Sequence, residues 1–202
     1  AESLFLFLWT AGTFVFAGFV NWSTNGRSIL PMVVPAGILV ARRQELRATR
    51  IGSISMPFRV MPLAAAAIVS LAVVWADYRF AETARTGAAL IHDTYSSAAH
   101  TTWFQGHWGF QYYMQQLGAK PVERKSEYTP GDVIAIPTTN TGRFMMPEWA
   151  VASGVISVPS SKWLATMSGE VGAGFYADAF GPLPFVVGFV PDEQFTILNV
   201  RP

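Results

Sequence analysis

Two short stretches hold the side chains best suited to binding chemistry. The first is the polar loop Asn21 to Ser28, with Arg27 near its end. A guanidinium is a planar fork of N–H donors that matches a phosphate bidentately. Arg27 is therefore the candidate for gripping a lipid phosphate or a pyrophosphate leaving group, with the amides of Asn21 and Asn25 as hydrogen-bonding neighbours. A plainer role fits the same residues, since an arginine at a membrane boundary reaches for headgroups and asparagines cap helices and form turns. The second stretch is Gln105-Gly106-His107-Trp108. It reads as a turn from a strand into a helix, where free backbone N–H groups favour an anion. The His107 imidazole would add a donor, and Gly106 would let a ligand approach the main chain beside Trp108. Packing is the competing role for His107 and Trp108.

Catalytic machinery is harder to find, and no catalytic residue is assigned. There is no cysteine, hence no thiol nucleophile, disulfide or zinc knuckle. His92, His100 and His107 have no recognised ligand spacing, and no serine stands in a nucleophile-elbow context. Neither a metal nor a cofactor is expected. Residues 21 to 28 contain no Asp or Glu to serve as a general base. The acids nearest the outer membrane face, Asp77 and Glu82, suit a helix start, where negative charge complements the dipole.

These residues must be positioned by a membrane anchor. Only 13% of the chain is charged and the mean hydropathy is +0.30, which is greasy for a 202-residue soluble domain. Three apolar runs, about 4–22, 27–41 and 59–76, are expected as transmembrane helices. The second is short and carries Pro31, tolerable near a helix start, and Pro35, expected to kink it. Arg42, Arg43, Arg47, Arg50 and Arg59 against Glu45 alone place residues 42 to 59 in the cytoplasm by the positive-inside rule. Residues 77–202 then face outward, with eight basic and eleven acidic residues and no basic stripe for nucleic acid. The chain thus divides into an anchor, 1–76, and an extracytoplasmic domain, 77–202. Because Ala1 is not a methionine, either processing or a missing upstream portion is expected.

The outer domain opens with a helix carrying Phe80, Ala84, Ala88, Ile91 and Tyr95 at three- and four-residue steps, continuing from the third span. A strand at Thr101 to Phe104 follows, then a helix from Trp108 to Leu117 stopped by Gly118, with Phe110, Tyr113, Met114 and Leu117 as its buried stripe. After the turn Thr129-Pro130-Gly131, DVIAI (132 to 136) reads as a strand covered on both faces. Val151 to Val158 and Gln194 to Val200 read as further strands. Trp163 to Met167 is open between strand and helix, and Gly172 to Gly188 has no clear period. Within it, GPLPFVVGFV (181 to 190) is apolar enough to touch lipid or a partner subunit. The fold class is a membrane protein, about three transmembrane α-helices followed by a small α/β domain with a mixed sheet.

The pattern NWSTNGRSILPMVVPAGILVARR resembles the late transmembrane region of bacterial membrane glycosyltransferases of the protein-mannosyltransferase and aminoarabinose-transferase type. GHWGFQYYMQQLGA, PGDVIAIP, SSKWLATM and GAGFYADAFGPLPF resemble the extracytoplasmic domain of a subgroup of them. The resemblance implies an inner-membrane, multi-pass protein whose partners are membrane lipid and a polyprenyl-phosphate sugar. It also implies an acidic catalytic loop, and no segment here matches one. Two functions stay open: the C-terminal part of such a transferase, not catalytic by itself, or an accessory or scaffolding subunit of a larger membrane complex, for example an energy-transducing one.

Overall fold

A computed structural model describes residues 2–21, 26–51, 56–142 and 144–202. The apolar N-terminal run forms α1 (Glu2–Val15), continued by a π-helical turn, Phe16–Val20. The chain returns through a short α2 (Gly26–Ile29), a 3-10 turn (Leu30–Met32) and α3 (Val33–Ile51). α1 and α3 pack together, and the Arg42 guanidinium binds Glu2 at 3.0 Å, joining the start of one to the far part of the other. The irregularity of this segment lies in the turn before Pro35. The helix is interrupted earlier, at Leu30–Met32, so Pro35 falls in the first turn of α3, where its missing N–H breaks no intrahelical bond.

α4 (Met56–Tyr95) is one helix of 40 residues, about 60 Å long at 1.5 Å per residue. Two stretches, Glu2–Val20 and Val60–Tyr95, are long and apolar enough to cross a membrane. In the most apolar window of α4 only 6% of residues are buried, which separates it from the core helix of a soluble domain. Residues 27–41 are helical, but the 3-10 turn divides them and the apolar part of α3 ends at Arg42. Beyond Ala76 the character of α4 changes, as Thr83, Ala88 and Ile91 turn inward.

That inward stripe covers a five-stranded mixed sheet of order β2-β1-β3-β9-β4. The strands are β1 (Thr102–Phe104), β2 (Lys120–Pro121), β3 (Val133–Pro137), β4 (Ala150–Val158) and β9 (Glu193–Val200). β1 runs parallel to β2 and β3, whereas β9 is antiparallel to β3 and β4. α4 and α5 (Trp108–Gln116) cover one face around Ile91, Phe104, Phe110, Met114, Phe195 and Ile197. The other face buries Trp103, Val122, Ile134 and Leu198. β3 is thereby covered on both sides, as its unbroken apolar run requires. Leu117 departs from the expected stripe of α5: it caps the helix rather than lying in it and is 37% exposed, before Gly118 turns the chain at φ +83°.

The stretch without a clear period folds as two ribbons. β5 (Leu164–Ala165) pairs with β8 (Val186–Val187), and β6 (Met167–Ser168) with β7 (Ala173–Gly174). A 3-10 turn, Asp178–Phe180, lies between them. Two-residue strands are too short to leave an alternation in the sequence.

Candidate functional site

Where α4 leaves its exposed apolar portion, three segments distant in sequence meet at Asp77. One carboxylate oxygen accepts from the Thr166 hydroxyl at 3.0 Å and the other from the Tyr176 hydroxyl at 2.7 Å. Asp77 therefore does not mark a helix start: α4 runs unbroken through it, and its charge is answered by side chains of the C-terminal domain rather than by a free helix end. Burial, followed by the hydrogen bond to Asp77 and its negative charge, raises the Tyr176 phenol to a pKa of about 12, so it stays a donor. Beside it, the Gly26 N–H donates to the Phe175 carbonyl at 3.2 Å. A Cβ at position 26 would stand 2.6 Å from the Phe175 ring, so glycine permits this approach of the N-terminal helices to the C-terminal domain.

This junction borders a cleft of about 440 Å³. Arg27, Asp77 and Tyr176 line it together with His107, Trp108 and Glu193. The two stretches picked out in the sequence thus share one cavity. Arg27 is exposed, and among the described residues it has no carboxylate partner. Asn21 is turned elsewhere, its amide donating to the Ser28 hydroxyl at 3.0 Å, and Asn25 lies outside the described residues.

The turn at 105 to 108 is conformationally specialised. Gly106 has φ +147°, a region side chains rarely adopt, and a Cβ there would meet Phe110 at 2.7 Å. Trp108, the first residue of α5, has φ +54° and is 52% exposed. A tryptophan in the left-handed region costs on the order of 1–3 kcal/mol, and such strain persists only where surrounding structure imposes it. His107 precedes α5 without a side-chain cap to the helix, its ring exposed beside the cleft.

Glu193, at the start of β9, is only 9% exposed. Its two oxygens accept from the Thr139 N–H at 2.8 Å and the Thr139 hydroxyl at 2.6 Å. Burial raises its pKa; the Thr139 hydrogen bonds oppose this, and the nearby charge of Glu170 adds to it. On its other side is a more polar cleft of about 380 Å³, lined in part by Asn140, Ser160, Glu170 and Asp192. The Asp77 triad and the Glu193–Thr139 pair leave no signature in the sequence, because their partners lie 89, 99 and 54 residues away.

Compared with known proteins, the chain matches no family model, no curated protein and no solved structure.

Proposed function

We propose that this chain is a membrane-anchored module that binds the phosphate end of a lipid-linked sugar at the outer face of a bacterial inner membrane, as part of a glycosyltransferase-like protein. What supports the reading is the convergence of Arg27, a guanidinium without a carboxylate partner among the described residues, with His107 and Trp108 on one cleft beside residues 77–84 of α4. A phosphate would satisfy the guanidinium bidentately, the imidazole would add a donor, and aromatic surface would take the sugar face or the first isoprene unit. In this reading α1, residues 27–41 of the returning segment, and α4 up to Ala76 lie in the bilayer, while the outer domain faces away from the cytoplasm.

The module is not catalytic by itself. Transfer needs a base to activate the acceptor, and both carboxylates lining the cleft, Asp77 and Glu193, already accept hydrogen bonds at both oxygens. The same engagement favours the second reading, a scaffolding subunit, should lipid phosphate fail to bind.

Titration of the protein in nanodiscs with a polyprenyl phosphate, followed by native mass spectrometry, tests the binding. The phosphate should be retained and the corresponding polyprenol released. Arg27→Ala should weaken retention about tenfold, the loss of one charge-assisted contact. Equal retention by the variant would leave Arg27 an interfacial anchor. No sugar transfer should exceed the no-protein control; turnover abolished by Asp77→Asn would instead make Asp77 a catalytic base. For topology, a reagent outside intact cells should label Lys125→Cys and miss Arg47→Cys; the opposite pattern inverts the orientation.

A further inference from the structure

We propose that the β5–β8 ribbon rests in the headgroup layer of the bilayer, so that the outer domain stands on the lipid surface through Trp163, Val187 and Phe189. The inference relies on the reading of α4 as a span, and adds a second contact with the membrane, made by a part of the chain that crosses nothing.

The height of the ribbon is fixed by α4. The Trp163 ring stacks on that of Trp75, with centroids 6.1 Å apart and planes 22° from parallel. Trp75 closes the apolar run that begins at Val60, and the next charged residue is Asp77. A second tie follows at once: Thr166, just past β5, donates to Asp77. β5 packs along α4 between these two points. The ribbon is therefore held where the helix passes from apolar to charged sequence, the depth at which tryptophan rings concentrate in membranes.

Its exposed side chains suit lipid rather than water. Phe189 is 78% exposed, Val187 69%, Leu183 51% and Trp163 47%, while neighbouring Leu164 and Val190 are buried. Single exposed apolar residues are ordinary, but these continue the exposed apolar surface of α4, including Leu71 and Val74, onto the outer domain. A backbone placed against lipid must have its own groups satisfied. Here the Gly188 N–H donates to the Trp163 carbonyl at 2.9 Å and the Val190 N–H to the Lys162 carbonyl at 3.1 Å, extending the pairing beyond the two-residue strands. The nearby charges are neutralised in a pair, Lys162 with Asp192. Immersion is shallow, since that pair is only one residue from Trp163.

The absence of cysteine makes the test direct. Spin labels are placed singly at Val187→Cys and Phe189→Cys, with Ala66→Cys in α4 as the deep reference and Lys125→Cys as the aqueous one. The protein is reconstituted in phosphatidylethanolamine/phosphatidylglycerol nanodiscs and probed with oxygen and a water-soluble nickel chelate. Labels at 187 and 189 should be relaxed by oxygen and shielded from nickel, at a depth between those of 66 and 125. Nickel access at 187 and 189 equal to that at 125, with position 66 still shielded, would overturn the proposal while leaving the span intact. Nickel access at 66 as well would remove the span and the proposal together. Immobile labels reached by neither reagent would mean that protein, not lipid, covers the ribbon.

Discussion

Asp132 and Asp77 stand at opposite ends of the C-terminal domain, and each is held by hydroxyl or N–H donors, but to different effect. Asp132, 1% exposed at the entry to β3, accepts four hydrogen bonds: from the Thr101 N–H, the Trp103 indole, and the Thr129 N–H and hydroxyl. Burial pushes its pKa up, but the four donors outweigh burial and leave it below the ordinary carboxylate range. At the other end, Asp77 has two hydroxyl donors from two distant loops, and Glu193, held by hydrogen bonds from Thr139 and the Thr138 backbone, still ends with a raised pKa because burial outweighs them. A carboxylate saturated with donors is finished as a structural element. Where fewer donors serve a carboxylate at a cavity wall, each of them counts for more.

The largest effect should come from breaking the saturated end. Asp132→Ala strands a buried indole N–H and two backbone N–H groups, and should cost about 3 kcal/mol of unfolding free energy in denaturant titration. A loss under about 1 kcal/mol would mean that water replaces the carboxylate. The sign with pH follows from the lowered pKa: the contribution is complete above the ordinary value of 3.8 and is lost as pH falls through the lower folded value. The parent protein should therefore lose stability on that acid limb, and Asp132→Asn should flatten it.

At the junction, Tyr176→Phe removes one hydrogen bond to a charged group and should cost about 1.5 kcal/mol. It should also raise amide exchange around Gly26, whose N–H binds the carbonyl next in sequence. Unchanged exchange there would separate the Asp77 triad from the docking of the anchor. The smallest effect is expected at Glu193→Gln, within about 1 kcal/mol at neutral pH, because a neutral amide replaces a carboxylate disfavoured by burial. A raised carboxylate stabilises most below its ordinary value of 4.5 and loses that contribution as pH rises through its folded pKa, so the variant should lack this decline. Should Glu193→Gln instead cost as much as Asp132→Ala, the contrast between the two ends would fail.

Much of the framework could be read from periodicity. The stripe of Ala84, Ala88 and Ile91 on α4, the double-sided burial of β3 and the stop at Gly118 each follow from side-chain spacing or backbone preference within a few residues. Arg27 and His107 could be nominated singly for the same reason, as each has the right chemistry beside a local break. What spacing could not tell is that they line one cavity, or that Asp77 and Glu193 line it with them. Nor could it resolve residues 163 to 188, where the strands are two residues long and one ribbon, β5 with β8, pairs across more than twenty residues.

The sequence by itself determined where the chain is apolar, where its charges cluster and which segments repeat at helical or strand intervals, because those depend on neighbours along the chain. Only the tertiary structure decided that Thr166 and Tyr176 close on Asp77, that Gly26 must be small for Phe175 to dock, and that Trp163 lies on Trp75. Each of these is a contact between segments far apart in sequence. Its free energy is set by packing and shared burial rather than by the preferences of either segment alone.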